Sequence, residues 1–289
     1  MSDTTPSRVD HVVIYGAQEL DALVAAYRRL GFTLTPRGHH TLGSSNHLAI
    51  FGSDYLELLG VQPENAVRFG DGWNHPPGLS GLVFKTGDAS ALWQRLQAQG
   101  VPLADGKPDV FSRPVELDDG SVHDARFRVV RIALDQFTNS RVFFCEHQTP
   151  DLVWRPAWQQ HANGALGVAE VVYVAPAPGL QRMAELLAHA NQAAQADKID
   201  GGYCLDAGPS KIFFLQRQAA ARRLQVKSAD LPARDGMVAF TLYTSALPKV
   251  RSALRAGQVQ PVHDSATRLI VAADDAGGAL LSFVEAVAG

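Results

Sequence analysis

The feature that most constrains the fold is a pattern of strand, helix and further strands that recurs four times along the chain. Its clearest copy spans residues 8–60, where the strand VDHVVIY precedes the helical pattern ELDALVAAYRRLG and the unit closes with DYLELLG. The other copies open at LSGLVFKT, VAEVVYV and MVAFTLYT. Self-similarity at such intervals indicates duplicated structural units. The sequence therefore predicts an α+β fold made of four tandem βαβββ modules.

The spacing of the copies indicates where the domains divide. The corresponding positions in the four opening strands are His11, Gly81, Glu170 and roughly Ala239. They are separated by 70, 89 and about 69 residues. The longer middle step contains residues 148–167, a Pro- and Trp-containing stretch without clean periodicity, which is typical of a connector. We predict an N-terminal domain of residues 1–160 and a C-terminal domain of residues 161–289.

Each of the four helical patterns ends in glycine or asparagine, the two residues that best tolerate the left-handed turn after a helix. These residues are Gly31, Gly100, Asn191 and Gly257. We therefore expect all four to have a positive φ. A further run, RQAAARRLQ near residue 220, lies outside the repeat and is interpreted as a basic surface segment.

Charge and composition exclude several classes of function. A net charge of -3 provides no basic surplus for binding nucleic acid phosphates. No apolar run is long enough to span a membrane, and the N-terminus MSDTTPSR lacks the features of a secretion signal. Cys145 and Cys204 lie in apolar, strand-like segments, which favours buried thiols in a reducing compartment. We expect a cytoplasmic protein that binds neither nucleic acid nor membranes.

One histidine and two glutamates lie in strands that otherwise have the pattern of buried strands. By the two-residue alternation of a strand, His11 shares a face with Tyr15, and Glu57 shares a face with Leu59. Glu146 follows two phenylalanines and a cysteine in the closing strand of the second copy. A buried carboxylate is costly unless a cation or hydrogen-bond donors compensate it. Either a metal satisfies these carboxylates, or they reach solvent or pair with nearby arginines.

These residues resemble those of the vicinal oxygen chelate superfamily, and most nearly its glyoxalase-like branch. The resemblance depends on His11 in VDHVVIY, Glu57 in DYLELLG and the Gly- and His-rich stretch GHHTLGSSNHLAIF between the first helix and Glu57. It implies that two modules pair into one cupped sheet, so that four modules form two such domains. It also implies metal ligands on the first and fourth strands of both modules, at His11, Glu57, Gly81 and Glu146.

Three of these four positions carry a side chain that can bind a metal. The exception is Gly81, where a histidine is common in the superfamily. The corresponding positions of the second half are Glu170, Gln216, Ala239 or Phe240, and Glu285, with no histidine among them. The resemblance therefore implies a C-terminal domain without a good metal site, which walls the pocket or mediates dimerisation. A homodimer is accordingly one expected assembly.

A set of His11, Glu57 and Glu146 is mostly hard and suits one divalent ion, whether Mn²⁺, Mg²⁺, Fe²⁺, Ni²⁺ or Zn²⁺. Open coordination positions would let a small oxygenated substrate bind in the N-terminal cup, where the metal polarises a carbonyl or, if it is iron, activates dioxygen. By resemblance, the reaction is an isomerase or lyase step of glyoxalase type, or a ring-cleaving dioxygenation. The competing hypothesis is a metal-free binding protein that sequesters a small molecule, as resistance proteins of this superfamily do.

Further residues complete the predicted site. His40 is the candidate base, with Glu146 as a second catalytic group, because acid–base work favours such side chains. Asn46 is expected to hydrogen-bond the substrate and Arg128 to clamp a substrate carboxylate. The plainer interpretation is a polar hairpin around His40 and Asn46 and an exposed arginine on a strand. His147 is an alternative to Glu146, but the two lie on opposite strand faces, so only one can enter the cup.

Overall fold

The computed structural model describes residues 7–61, 76–117, 119–193 and 195–286. In these residues the strands form two eight-stranded sheets, and each sheet consists of two βαβββ modules. The predicted α+β fold of four modules in two cupped sheets is therefore confirmed. None of the described helices is both long and apolar enough to cross a membrane.

The first sheet contains β1 (Val9–Tyr15), β2 (Gly38–His39), β3 (Ser44–Ile50), β4 (Tyr55–Val61), β5 (Gly78–Lys85), β6 (Asp109–Glu116), β7 (Val122–Arg131) and β8 (Arg141–His147). Its strand order is β2-β3-β4-β1-β5-β8-β7-β6. The second sheet contains β9 (Ala165–Val174), β10 (Asp197–Ile199), β11 (Gly202–Ala207), β12 (Ser210–Leu215), β13 (Gly236–Thr244), β14 (Pro261–Asp264), β15 (Leu269–Val271) and β16 (Leu280–Glu285), in the equivalent order β10-β11-β12-β9-β13-β16-β15-β14. The helices are α1 (Leu20–Arg29), α2 (Ala89–Ala98), α3 (Ala177–Ala190), α4 (Arg217–Leu224) and α5 (Leu247–Ala256).

Four of the helices form a layer between the two sheets. Side chains of α1, α2, α3 and α5 belong to one buried apolar cluster together with strand residues from both sheets. Across this layer the Phe32 ring packs against Phe283 with centroids 6.3 Å apart. The Tyr27 hydroxyl donates a hydrogen bond to the Ala276 carbonyl at 3.0 Å. Because this cluster covers one face of each sheet, the two concave faces turn away from each other.

The first sheet curls until its two edge strands meet. The Thr41 amide, just after β2, donates to the carbonyl of Ser112 in β6 at 2.9 Å, and the Ser112 amide donates to Thr41 Oγ1 at 3.2 Å. In the middle of the sheet β1 runs parallel to β4, with Val13 beside Glu57. The first and fourth strands thus present side chains to the same enclosed space. This arrangement allows the side chains of His11 and Glu57 to approach each other.

The helix ends follow the predicted pattern at two of the four positions. Gly31 and Gly100 have φ values of +86° and +70°. After α3 and α5 the left-handed residues are instead Gln192 and Gln258, each one position beyond the predicted residue. Packing explains the glycine at position 257 instead, because an added Cβ would lie 1.9 Å from the Arg29 carbonyl oxygen. It allows α5 to approach the end of α1 closely.

Helix α4 fills the concave face of the second sheet. Its buried residues, Ala219, Ala220, Ala221 and Leu224, pack in one cluster with β9 and β12 side chains that point away from the helical layer. The interpretation of this run as a surface segment was therefore wrong for its apolar face. Three consecutive alanines between arginines do not reveal a helix that is half-buried inside a cup.

An ion-pair cluster lies at the centre of the second cup. Glu170, the counterpart of His11, accepts hydrogen bonds from Arg223 of α4 at 2.5 Å, from Thr241 at 2.8 Å and from Arg268 at 3.2 Å. Burial acts to raise the pKa of Glu170, but the two arginines and Thr241 outweigh it and hold the pKa below its usual range. The negative charge at this position is thus compensated by arginine side chains of the protein.

Asp54 lies buried between the first sheet and β9, and it gives a pH-dependent prediction. Burial raises its pKa to about 7, although the Val168 amide, which donates to it at 3.1 Å, acts in the opposite direction. The folded state therefore holds this proton more tightly than the unfolded chain does, so stability is lost as pH rises from about 4 to about 7. Asparagine keeps the acceptor for Val168 and carries no charge.

We expect the free energy of unfolding of Asp54→Asn, relative to that of wild type, to be higher at pH 8.5 than at pH 4.5 by roughly 2–4 kcal/mol. This figure follows from about 1.4 kcal/mol per unit of pKa shift. Urea unfolding at both pH values measures this difference. The exposed Asp124 provides the matched control, since Asp124→Asn should change stability little at either pH. Parallel pH dependences of wild type and Asp54→Asn would contradict the assignment.

Candidate active site in the N-terminal cup

The concave face of the first sheet encloses a cavity that opens to solvent. Its polar wall contains two histidines, one glutamate, one asparagine and three arginines. Its apolar wall includes the rings of Phe111, Phe127 and Phe143. A cavity that combines apolar walls with a few converging polar groups has the general properties of a small-molecule site.

His11 is held in a fixed orientation at the centre of this cavity. Its side chain is buried, and its ring stacks on Tyr55 with centroids 4.3 Å apart. Nδ1 lies 2.7 Å from Asp10 Oδ2, and Nε2 lies 3.7 Å from Glu57 Oε2. Consecutive residues of a regular strand point to opposite faces, but the pairing of β1 with β5 shifts register between Val9 and His11. This irregularity allows Asp10 and His11 to contact each other.

A chain of hydrogen-bonding groups joins Glu57 to His40. Asn46 Nδ2 donates to Glu57 Oε1 at 2.7 Å and lies 3.2 Å from His40 Nε2, and His40 Nδ1 lies 2.8 Å from Ser44 Oγ. Burial lowers the pKa of His40 to about 4, with Glu57 acting in the opposite direction. His40 and Asn46 thus line the cavity, but His40 is neutral at pH 7 and does not titrate near neutrality as the predicted base should.

Glu146 and Arg128 lie outside the cavity, on the helical face of the sheet. Glu146 Oε2 accepts a hydrogen bond from the Ala89 amide at the start of α2 at 2.8 Å, and it lies 3.7 Å from Arg128 Nη1. Arg128 Nη1 also lies 3.4 Å from Ser90 Oγ. The structure therefore corrects three assignments: Glu146 as metal ligand, Glu146 as catalytic group and Arg128 as substrate clamp. The three predicted ligands are not brought together.

The strand register explains this correction. Val13 lies beside Glu57 in the first module, and the equivalent Val83 lies beside Phe143 in the second. Phe143, three residues before Glu146, is therefore the structural counterpart of Glu57. At the other departure, Gly81, an added Cβ would lie 2.6 Å from Val13 Cγ2. Of the four ligand positions that the resemblance implied, only His11 and Glu57 offer a ligand to the cup.

A different group of potential ligands lies beside His11. One ligand atom each of Asp10, Cys145 and His147 lies within 4.8 Å of the others, the one such group of three in the residues that the structure describes. His147 Nε2 lies 2.8 Å from Asp10 Oδ2, and Lys85 Nζ donates to Asp10 Oδ1 at 2.5 Å. Burial acts to raise the pKa of Asp10, but His147 and His11 hold it well below its usual range.

The pKa of the Cys145 thiol is shifted in the opposite direction. Burial, and after it the nearby carboxylates Asp10 and Glu57, raises its pKa well above the usual value. A thiol in this environment is protonated unless a cation binds to it. Carboxylate, imidazole and thiolate together form a ligand set suited to a divalent ion such as Zn²⁺. The described residues therefore contain one group that fits a metal, at positions different from those predicted.

The three arginines of the cavity differ in their partners. Arg131 donates to Asp109 at 2.9 Å and to Asp105 at 3.3 Å. Burial lowers the pKa of Arg141 to about 10, with Arg131 contributing and Glu57 opposing. Arg113, in β6, is 3% exposed, and its Nε and Nη2 atoms have no hydrogen-bond partner in the structure.

The comparisons with known proteins agree with this fold. A cupped sheet of paired βαβββ modules with a histidine on its first strand and a glutamate on its fourth is of the vicinal oxygen chelate type. The chain belongs to the family of glyoxalase-like domains, whose family model matches residues 9–191. No curated protein matches the chain significantly.

Several solved structures share the fold. A hypothetical protein from Staphylococcus aureus is 14% identical with a TM-score of 0.63, over 96% of this chain and 99% of that one. A triple mutant of 4-hydroxymandelate synthase from Streptomyces coelicolor is 10% identical with a TM-score of 0.58, over 99% and 95%. A fusion of a xylose isomerase-like TIM barrel with 4-hydroxyphenylpyruvate dioxygenase is 14% identical with a TM-score of 0.55, over 99% of this chain and 50% of that one. At these identities the likeness establishes the fold alone.

Proposed function

We propose that the protein is an enzyme of isomerase or lyase type that acts on a small oxygenated molecule in the N-terminal cup, with His11 as the proton-transferring group. The observation that carries this proposal is the contact of His11 Nδ1 with the buried carboxylate of Asp10 at 2.7 Å. In the proposed mechanism the ring proton is on Nδ1, where Asp10 accepts it, and Nε2, on the side of Glu57, acts as the base. A histidine oriented by a carboxylate in this way is arranged for acid–base chemistry.

The proposed step is a proton transfer at carbon. His11 Nε2 takes a proton from a carbon next to a substrate carbonyl, and the electron pair of the broken C–H bond moves onto the carbonyl oxygen as an enolate. Return of the proton to a neighbouring atom gives an isomerisation. If the electron pair instead expels a group from the adjacent carbon, the result is an elimination. Glu57, fixed by Asn46 at 2.7 Å, lies on the same side of the substrate space and completes the polar wall.

A divalent metal is part of the proposal, and Asp10, Cys145 and His147 are the residues that would hold it. When bound beside the cavity wall at Cys145, such an ion would supply positive charge that stabilises negative charge developing in the cavity. Binding would replace the hydrogen bond between His147 and Asp10 by coordination bonds to both. The thiol of Cys145 would lose its proton on binding, so uptake of metal should be pH-dependent.

Elemental analysis by mass spectrometry tests the metal assignment. After dialysis of separate samples against Mn²⁺, Fe²⁺, Ni²⁺, Zn²⁺ or Mg²⁺, we expect about one equivalent of one ion in wild type and in Cys204→Ala, and none in Cys145→Ala. The two cysteine variants are matched in chemistry and differ only in position. Equal metal content in both variants, or none in wild type, would remove the metal from the proposal.

A second candidate function is a metal-free binding protein. Its specific support is that Gly81 and Phe143 occupy the second-module positions where family ligands are expected, which leaves a largely apolar cavity wall. This reading predicts that Glu57→Ala retains ligand affinity, whereas the enzyme reading predicts loss of turnover. A ring-cleaving dioxygenation would be distinguished from both by consumption of dioxygen with the substrate.

A further inference from the structure

We infer that the substrate carries a carboxylate bound by the Nε–Nη2 edge of Arg113, and that the rest of the substrate is a flat apolar body. This inference deepens the proposed function and depends on it only for calling the ligand a substrate. The sequence placed the carboxylate clamp at Arg128, which the structure locates on the opposite face of the sheet.

The direction of the Arg113 side chain follows from its strand. Arg113 lies opposite Ala125 in the pairing of β6 with β7, and Phe111 lies opposite Phe127. Phe111, Arg113 and Phe127 all line the cavity. Burial lowers the pKa of Arg113, and the nearby cavity residue Glu57 acts in the opposite direction. The guanidinium therefore belongs to the cavity.

Packing fixes which edge of the guanidinium is available. A Cβ added to Gly38 would lie 2.9 Å from Arg113 Cδ and 3.2 Å from Nη1. The Cδ–Nη1 edge thus packs against the backbone of β2. The Nε–Nη2 edge faces away from Gly38, and both of its nitrogens are buried without a hydrogen-bond partner. A buried unpaired guanidinium edge is costly, so a group that satisfies both N–H donors at once is expected here.

A carboxylate is the group that matches this edge. Two parallel N–H donors of arginine bind the two oxygens of a carboxylate in the bidentate arrangement that combines charge with geometry. Arg131 already has two aspartate partners, so its charge is compensated within the protein. Beside Arg113 the stacked rings of Phe111 and Phe127, with centroids 5.1 Å apart, form a flat apolar wall. The ligand class is therefore a small monocarboxylate with an aromatic or similarly flat body.

Isothermal titration with benzoate and its uncharged analogue benzamide tests the inference. We expect wild type to bind benzoate at least about tenfold more tightly than benzamide, because a bidentate charge-assisted contact is lost with the amide. Arg113→Met, which keeps the length and apolar packing of the side chain, should abolish this preference. Arg126→Met, an exposed arginine on the helical face, is the matched control and should retain it.

Arg113→Lys keeps the positive charge but lacks the two parallel N–H donors, so its benzoate affinity should fall at least about tenfold. This variant provides the test if Arg113→Met does not fold. Absence of benzoate binding, an equal affinity for benzamide, or a preference unchanged in both Arg113 variants would overturn the inference. Arg113-dependent binding of phenyl phosphate in preference to benzoate would overturn the carboxylate assignment. Benzoate binding through Arg113 without proton exchange on any acid tested would leave this site standing and remove the enzyme proposal.

Discussion

Substitution of His11 by glutamine is expected to slow the proposed proton transfer by ~10²–10⁴-fold while leaving the fold intact. Glutamine retains hydrogen-bonding groups and a comparable length, but it has no basic ring nitrogen. The measurement is exchange of substrate C–H protons for deuterium, followed by NMR in D₂O with a panel of small 2-oxo and 2-hydroxy carboxylic acids. An acid whose proton next to the carbonyl exchanges with wild type identifies the substrate class and the reacting position together.

Two further variants accompany His11→Gln. Asp10→Asn should also reduce the exchange rate, because an amide accepts the Nδ1 proton of His11 less strongly than a carboxylate does and because Asp10 is also a proposed metal ligand. His189→Gln, an exposed histidine on α3, should exchange at the wild-type rate. If His11→Gln exchanges as fast as wild type on a substrate that wild type turns over, His11 is not the base and the proposed mechanism is wrong.

Removal of Glu170 is expected to cost about 3–5 kcal/mol of stability, because it strands buried positive charge in the second cup. Its carboxylate accepts from Arg223, Arg268 and Thr241, and its side chain is 13% exposed. Glu170→Ala would leave two partly buried guanidinium groups facing each other without an anion between them. Urea unfolding monitored by circular dichroism measures the loss.

The double variant Glu170→Ala, Arg223→Met tests whether charge is the cause. It removes one of the two stranded cations, so a substantial part of the lost stability should return. Glu185→Ala, on the exposed face of α3, is the control for loss of a glutamate and should have little effect. If Glu170→Ala unfolds at the wild-type urea concentration, the cluster is not what holds α4 in the second cup.

The repeat and the first module could be predicted from the sequence, because alternation and helical periodicity are local signals. Alternation gave the strand face of each of His11 and Glu57, but only the resemblance put the two residues in one site, and their side-chain atoms lie 3.7 Å apart. The error at Glu146 came from matching two glutamates by residue type. The structural counterpart of Glu57 is Phe143, three positions earlier. An odd shift along a strand moves a side chain to the other face of the sheet.

The rest of the site depends on features that have no local signal. Asp10 reaches His11 because of a register irregularity between β1 and β5, which is set by the partner strand. Arg113 looks like any arginine on an outer strand, and its burial follows only when the sheet closes around it. His147 was recognised as lying on the face opposite to Glu146, but the choice between those faces required the register of β8.

The helical layer between the sheets limits how this protein can be truncated. Stopping the chain after β8 to obtain the first cup as a small stand-alone receptor would expose to water the rings that now pack against the second half, Tyr27 and Phe32 among them. Such a fragment would expose a large apolar surface on the side away from its cavity. Libraries that aim at new ligands should therefore keep the full-length chain and vary only the residues that face the inside of the first sheet.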